Sequence, residues 1–169
     1  MQLIVAAAVL VIATDGSMSS QEDALPTRQE IIQTMEFVGL PPATPPPEIR
    51  LLPVSVINQI GMTPYIENLG LETTELYEPD IGRITLRDDW RTHSGMPDFV
   101  HEMKHYKQSV DHEAYTDPGT ECEAYKVENE YEKTHGYPTL DSVIMMSVLS
   151  CDGQFDSTPI VLIPPKPRK

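Results

Sequence analysis

The stretch DFVHEMKHYKQ, from Asp98 to Gln108, sets His101 and His105 four residues apart, with Glu102 directly after the first histidine. On a helix, residues at i and i+4 share a face, with Cβ atoms about 5–6 Å apart. Two imidazole nitrogens can then meet one metal ion. Zinc binds such nitrogens at about 2.0–2.1 Å and favours four ligands, so a hydrolytic site needs a third protein ligand and an open position for water. Glu102 lies about 100° around the helix from His101, beside the metal rather than on it. From there its carboxylate can take a proton from a metal-activated water, which is why the glutamate must follow the first histidine directly. The competing reading is a charged helix face in solvent, the usual place for such residues.

Several residues compete for the third ligand position. Asp111 would complete an HExxHxxGxxD pattern, but that turn needs glycine where Gln108 stands, and His112 falls one place late for the related histidine pattern. Gln108 instead continues the face of His101 and His105. The helix is therefore expected to run on, with the third ligand on the next helix, ECEAYKVENEYEKTHG, where Glu121 and Glu123 are both well placed. Ala124 leaves room for two helices to approach closely, which favours Glu123 over Glu121. Cys122 could also bind zinc, but points elsewhere on the helix than either glutamate.

The elements that must hold these residues read as follows. Thr27-Arg28-Gln29-Glu30 is a capping-box pattern ahead of Ile31, Ile32, Met35 and Val38 at helical spacing, and Gly39 ends that helix. PPATPPP, residues 41–47, is an extended connector. Glu48 to Leu52 suits a short strand, and Pro53 opens a helix that Gly61 stops. Leu76 to Glu78 and Arg83 to Leu86 suit two strands around a turn at Asp80-Ile81-Gly82. Pro97 suits the first turn of the HEMKH helix, and Asp117-Pro118 the start of the next. Thr139 is positioned to cap a last helix with Leu140, Val143, Ile144 and Val148 as core. Trp90 and Phe99 read as core, and Glu128, Glu130 and Glu132 as a solvated helix face. A small sheet followed by helices makes an α+β domain.

HEMKH followed by ECEAY resembles the gluzincin type of zinc metallopeptidase, with HExxH on one helix and a glutamate ligand on a later one. The forms HExxHxxQ and ExEAY are similar to those of small bacterial and phage metallopeptidases, and the resemblance spans roughly Ile84 to Gly136, including the strand RITLRDDW. It implies a minimal zincin-like fold, a small sheet packed against an active-site helix and a following ligand helix. It also implies Zn2+ held by His101, His105 and Glu123 (Glu121 as the alternative), with Glu102 as catalytic base and a peptide or protein as substrate. Thermolysin-like members carry an aspartate shortly after the ligand glutamate that orients a histidine. Here the corresponding stretch is Tyr125, Lys126 and Val127, so that orienting carboxylate is expected to be absent. For an oxyanion donor, Tyr106, His112, Tyr115, Tyr125 and His135 are all candidates, and nothing in the sequence selects one.

Length and charge bound the rest. The chain has 169 residues and a formal net charge of −14. Phosphate neutralisation needs clustered Lys and Arg, so no nucleic-acid partner is expected. The Pro/basic tail, residues 161–169, reads as an extended end. LIVAAAVLVIA, from Leu3 to Ala13, is shorter than the ~20 apolar residues of a membrane span. It fits the apolar part of a signal peptide over residues 1–20, without the usual positive start; the rival reading is a buried strand. The expected division is then an N-terminal helix and Pro-rich connector over 21–53 and the zincin-like domain over 54–160. Cys122 and Cys151 could pair in an exported protein, secreted or periplasmic, and would stay reduced in a cytoplasmic one. A non-catalytic interaction module, its metal purely structural, is the alternative function. Cys122 or His112 would then close the shell.

Overall fold

The computed structural model describes residues 25–61, 73–93, 95–113, 119–149 and 151. The expected signal segment, the basic tail, Tyr115 and Asp117-Pro118 lie outside the described residues.

Helix α1, Arg28–Phe37, begins with the expected reciprocal cap: the Glu30 N–H donates to Thr27 Oγ1 at 3.2 Å and the Thr27 N–H to Glu30 Oε2 at 2.6 Å. Gly39, at φ +78°, turns the chain out of it, a conformation that costs a side-chain-bearing residue strain. Strand β1, Glu48–Leu52, and helix α2, Val54–Gly61, follow. Then come β2, Leu76–Glu78, and β3, Arg83–Arg87. Four more helices follow among the described residues: α3, Trp90–His93; α4, Met96–Val110; α5, Gly119–His135; and α6, Leu140–Val148.

The sheet has the order β1-β3-β2, with β1 parallel and β2 antiparallel to β3. Ile84, Thr85 and Leu86 of the central strand are all buried, so both sheet faces are covered. Successive side chains point to opposite faces. Ile84 and Leu86 enter the apolar core with Tyr77, Trp90, Phe99, Val100 and Met103. Thr85 instead joins a polar set, accepting from Arg50 Nε and donating to Glu78 Oε1, both at 2.8 Å. Helix α4 packs on β2 and β3 with one side and on α5 with the other, and α5 packs in turn on α6. The architecture is α+β. Among the described residues no helix is long and apolar enough to cross a membrane.

Three expectations change. The Pro-rich connector is not a boundary: β1 pairs with β3, the core includes Met35, Val38 and Leu40, and the Tyr106 hydroxyl donates to the Pro45 carbonyl at 2.7 Å. The helix and connector before residue 54 thus belong to the same packed unit as the strands and helices after it. In α6, Leu140, Val143 and Val148 are exposed and Ser142 is the fully buried residue. Its hydroxyl accepts from Asn129 Nδ2 at 2.9 Å and donates to Glu132, so polar pairing with α5 sets how α6 is turned. Thr139 precedes α6, but at φ −103° and ψ 9° its side chain makes no capping bond.

Candidate metal centre

Gly95, at φ +73° and ψ −153°, lets the chain turn from α3 into α4, and Pro97 occupies the first turn of α4, where a missing N–H costs nothing. Ten of the fifteen residues of α4 are buried, among them His101, Glu102, Lys104, His105 and Gln108. A solvated charged face would leave these exposed, so that reading does not hold.

The two histidine rings turn their Nε2 atoms toward each other, 3.1 Å apart. Glu121, on α5, faces both: Oε2 lies 3.3 Å from His101 Nε2 and Oε1 3.3 Å from His105 Nε2. Tetrahedral ligands at about 2.0–2.1 Å from zinc are about 3.3 Å from one another. The three side chains therefore have the spacing and the nitrogen-oxygen donor set that zinc takes. The group could hold a metal ion; its donor atoms all lie within 4.8 Å of one another.

Glu123, preferred on the sequence, is not the residue that meets the histidines. It sits about 200° around α5 from Glu121, half-exposed, with Oε2 at 2.9 Å from Lys104 Nζ and 3.4 Å from Gln108 Nε2. Glu121 thus takes the place expected of Glu123. Ala124 is fully buried, and Glu121 lies one turn before it, nearer its face than Glu123 does.

Burial and mutual hydrogen bonds shift several groups of this cluster from their ordinary pKa values. Burial works against charge on His101, yet its hydrogen bonds to Glu121 and Glu128 hold its pKa well above the ordinary value. Burial would raise Glu121, but hydrogen bonds with His101 and His105 hold its carboxyl far below the usual range. Glu102 is buried beside the group, and burial lifts its pKa to about 7 against the pull of His105 and His101.

Each histidine also has a partner on its far nitrogen. His101 Nδ1 lies 2.8 Å from Glu128 Oε2, and His105 Nδ1 lies 2.9 Å from Gln108 Oε1. Glu128 is 5% exposed, not part of a solvated face, and Glu132 is buried as well. The orienting carboxylate expected to be absent is therefore present, seven residues after Glu121. The signal was in the spacing: positions 121, 125 and 128 are i, i+4 and i+7 on one helical face. The Tyr125 ring packs against His101, with centroids 4.3 Å apart, and burial raises its phenol above the ordinary value.

The other sequence candidates are elsewhere. Asp111 caps the end of α4 and pairs with Lys107; His112 is exposed in the turn beyond. Cys122 is bonded to Cys151, with Cα atoms 5.2 Å apart, and has no thiolate to offer a metal. Comparison with models of known protein families, with characterised proteins and with solved structures gives no match.

Proposed function

We propose that the chain is a zinc-dependent metallopeptidase of gluzincin type on a minimal zincin-like scaffold. The observation that carries this reading is the meeting of His101, His105 and Glu121, with Glu102 buried beside them on the same helix. These three residues would hold the ion. When bound, zinc supplies Lewis-acid chemistry, making water nucleophilic near neutral pH and polarising a carbonyl.

The chain's own groups supply the rest. Glu102 accepts the proton of the attacking water and delivers it to the leaving amine; a carboxyl poised near pH 7 suits both directions of transfer. Glu128 holds the His101 ring in place through Nδ1. Of the five oxyanion-donor candidates, Tyr125 is favoured, because its ring lies on His101 and its phenol keeps its proton. Tyr106 is engaged with Pro45, and His112 and His135 are exposed. The disulfide supports an exported protein, secreted or periplasmic, as does the reading of the first 20 residues as a signal peptide.

A purely structural metal would need a fourth protein ligand. Cys122 is consumed by its disulfide, and among the described residues the donor group has three members. This favours an open position for water.

The test separates metal from chemistry. Elemental analysis should find zinc in the wild type and in Glu102→Gln, and none in His101→Ala. Hydrolysis of a peptide library should fall by about 10²–10⁴-fold in Glu102→Gln at full zinc occupancy. Unchanged turnover in that variant removes Glu102 as the base. A wild type that takes up no added zinc overturns the whole reading.

A further inference from the structure

Two histidines at i and i+4 can bind one ion only if both present a bare nitrogen to it, and the neutral imidazole ring has two tautomers. Something must choose between them. At His101 the choice falls to Glu128, a carboxylate that can only accept. At His105 the partner is an amide, which can either accept or donate. Its orientation decides which nitrogen of His105 faces the ion.

The surroundings of Gln108 fix that orientation. The side chain is 1% exposed. Its Nε2 lies 3.1 Å from the Thr120 carbonyl oxygen and 3.4 Å from Glu123 Oε2, both acceptors. An amide turned the other way would put its oxygen against both and leave its N–H groups facing His105. With Nε2 on α5, Oε1 must point to His105 Nδ1, 2.9 Å away, and that nitrogen must carry the proton. Nε2 of His105 is then the nitrogen left to face an ion, directed at His101 and Glu121; with no ion present it donates to the Glu121 carboxylate, 3.3 Å away. Lys104 Nζ, 2.9 Å from Glu123, holds the outer acceptor in place.

We infer that Gln108 is a positioning residue: clamped by the Thr120 carbonyl and Glu123, it holds the proton of His105 on Nδ1, so that Nε2 is the nitrogen offered to the metal position. Gln108 itself touches neither ion nor substrate. The first turn of α5 thus has two tasks, giving the third ligand through Glu121 and setting the second through Thr120, Glu123 and Gln108. The link to metal binding rests on the zinc-site reading above, whereas the tautomer of His105 does not.

The experiment uses the full chain labelled with ¹⁵N-histidine, stripped of metal, and long-range ¹H–¹⁵N spectra of the rings. His105 in the wild type should show a protonated Nδ1, held by Gln108 Oε1. Gln108→Leu, which removes the acceptor at similar size, should leave Nδ1 unprotonated, with the ring's proton on Nε2 toward Glu121. Titration with zinc alone against a competing chelator should then show affinity reduced by about 10–100-fold in Gln108→Leu. A wild-type His105 with an unprotonated Nδ1 overturns the inference and needs no variant, so a Gln108→Leu chain that fails to fold leaves the test standing. An Nδ1 still protonated in a folded Gln108→Leu overturns it as well, and so does zinc affinity within twofold of wild type. If the wild type binds no zinc, the metal reading fails, and the spectra alone decide for or against Gln108.

Discussion

The two sides of α4 are almost equally buried, and for opposite reasons. Toward the sheet, Phe99, Val100 and Met103 are fully covered and Tyr106 nearly so. Burying each such apolar side chain contributes roughly 1.5–3 kcal/mol. Toward α5, His101, Glu102, His105 and Gln108 are covered to a similar extent, with exposures of 1% to 7%. Removing these groups from water costs free energy that only pairing recovers. One side of the helix therefore holds the fold, and the other is a burden that the fold carries. The difference teaches where to look for function: a polar side buried as deeply as a core, with its charges matched across one helix pair, is expensive unless a ligand repays it.

The comparison can be broken from either side. The largest expected effect is on the apolar side. Phe99→Ala should lower unfolding free energy by about 3–5 kcal/mol, measured by urea denaturation, while any folded fraction keeps its zinc affinity. On the polar side, the matched variant Glu121→Ala should abolish zinc binding in a titration, because two histidines alone hold the ion poorly. Glu123→Ala should cost far less, about threefold, because the Thr120 carbonyl still holds Gln108. A reversed order would restore Glu123 as the ligand.

Zinc removal comes next. At free zinc about 100 times the dissociation constant, stripping the metal should cost about 2.7 kcal/mol of stability in calorimetry. His101→Ala should show no such zinc-dependent difference.

A pH series sharpens the polar side further. Asp98, next to Glu75 at the start of α4, is raised by burial and then by the charges of Glu75 and Glu128, from the usual 3.8 to about 9. The folded state then holds this proton more tightly than the unfolded one. Its contribution is fully present below pH 3.8 and is lost as pH rises through about 9. His101 and Glu102 are also raised, so they act in the same direction. Thermal melts of the metal-free protein should show stability falling between about pH 5 and 9, with a shallower fall in Asp98→Asn. A wild-type curve that rises across this range would contradict the buried, proton-holding acid assigned to this side.

How much of this was legible in the sequence differs along the same divide. Local signals held well: the Thr27–Glu30 cap, Gly39, Pro97, the hairpin turn before Arg83 and the HEMKH face all act through neighbours within one turn. What failed depended on pairing across the chain. The union of β1 with β3 joins residues 35 positions apart, such as Ile49 and Ile84, so the connector just before β1 looked like a boundary. Helix α5 carries its glutamates on two opposite faces, Glu121, Glu128 and Glu132 on one and Glu123 and Glu130 on the other, and spacing alone could not show which face turns inward. Burial of Ala124 and the Ser142–Glu132 pairing decide it, and both depend on neighbouring helices. Glu121 and Glu128 thus came inside, and Glu123 did not. Among the helices, α6 misled for the same reason: its apolar residues suggested a core stripe, and a serine was buried instead.

The bond between Cys122 and Cys151 has a consequence for the chain before it folds. It spans a sequence separation of 29 residues, which takes in nearly all of α5 and the whole of α6. In the denatured oxidised chain this loop is already closed. On the chain-entropy account, a ring of that size removes about 3–4 kcal/mol worth of freedom from the disordered ensemble. The residue next to one end of the ring is Glu121. The segment that carries the proposed third ligand is therefore a tethered loop from the outset, and the search that folding makes for the α5–α6 pair is a search within a ring.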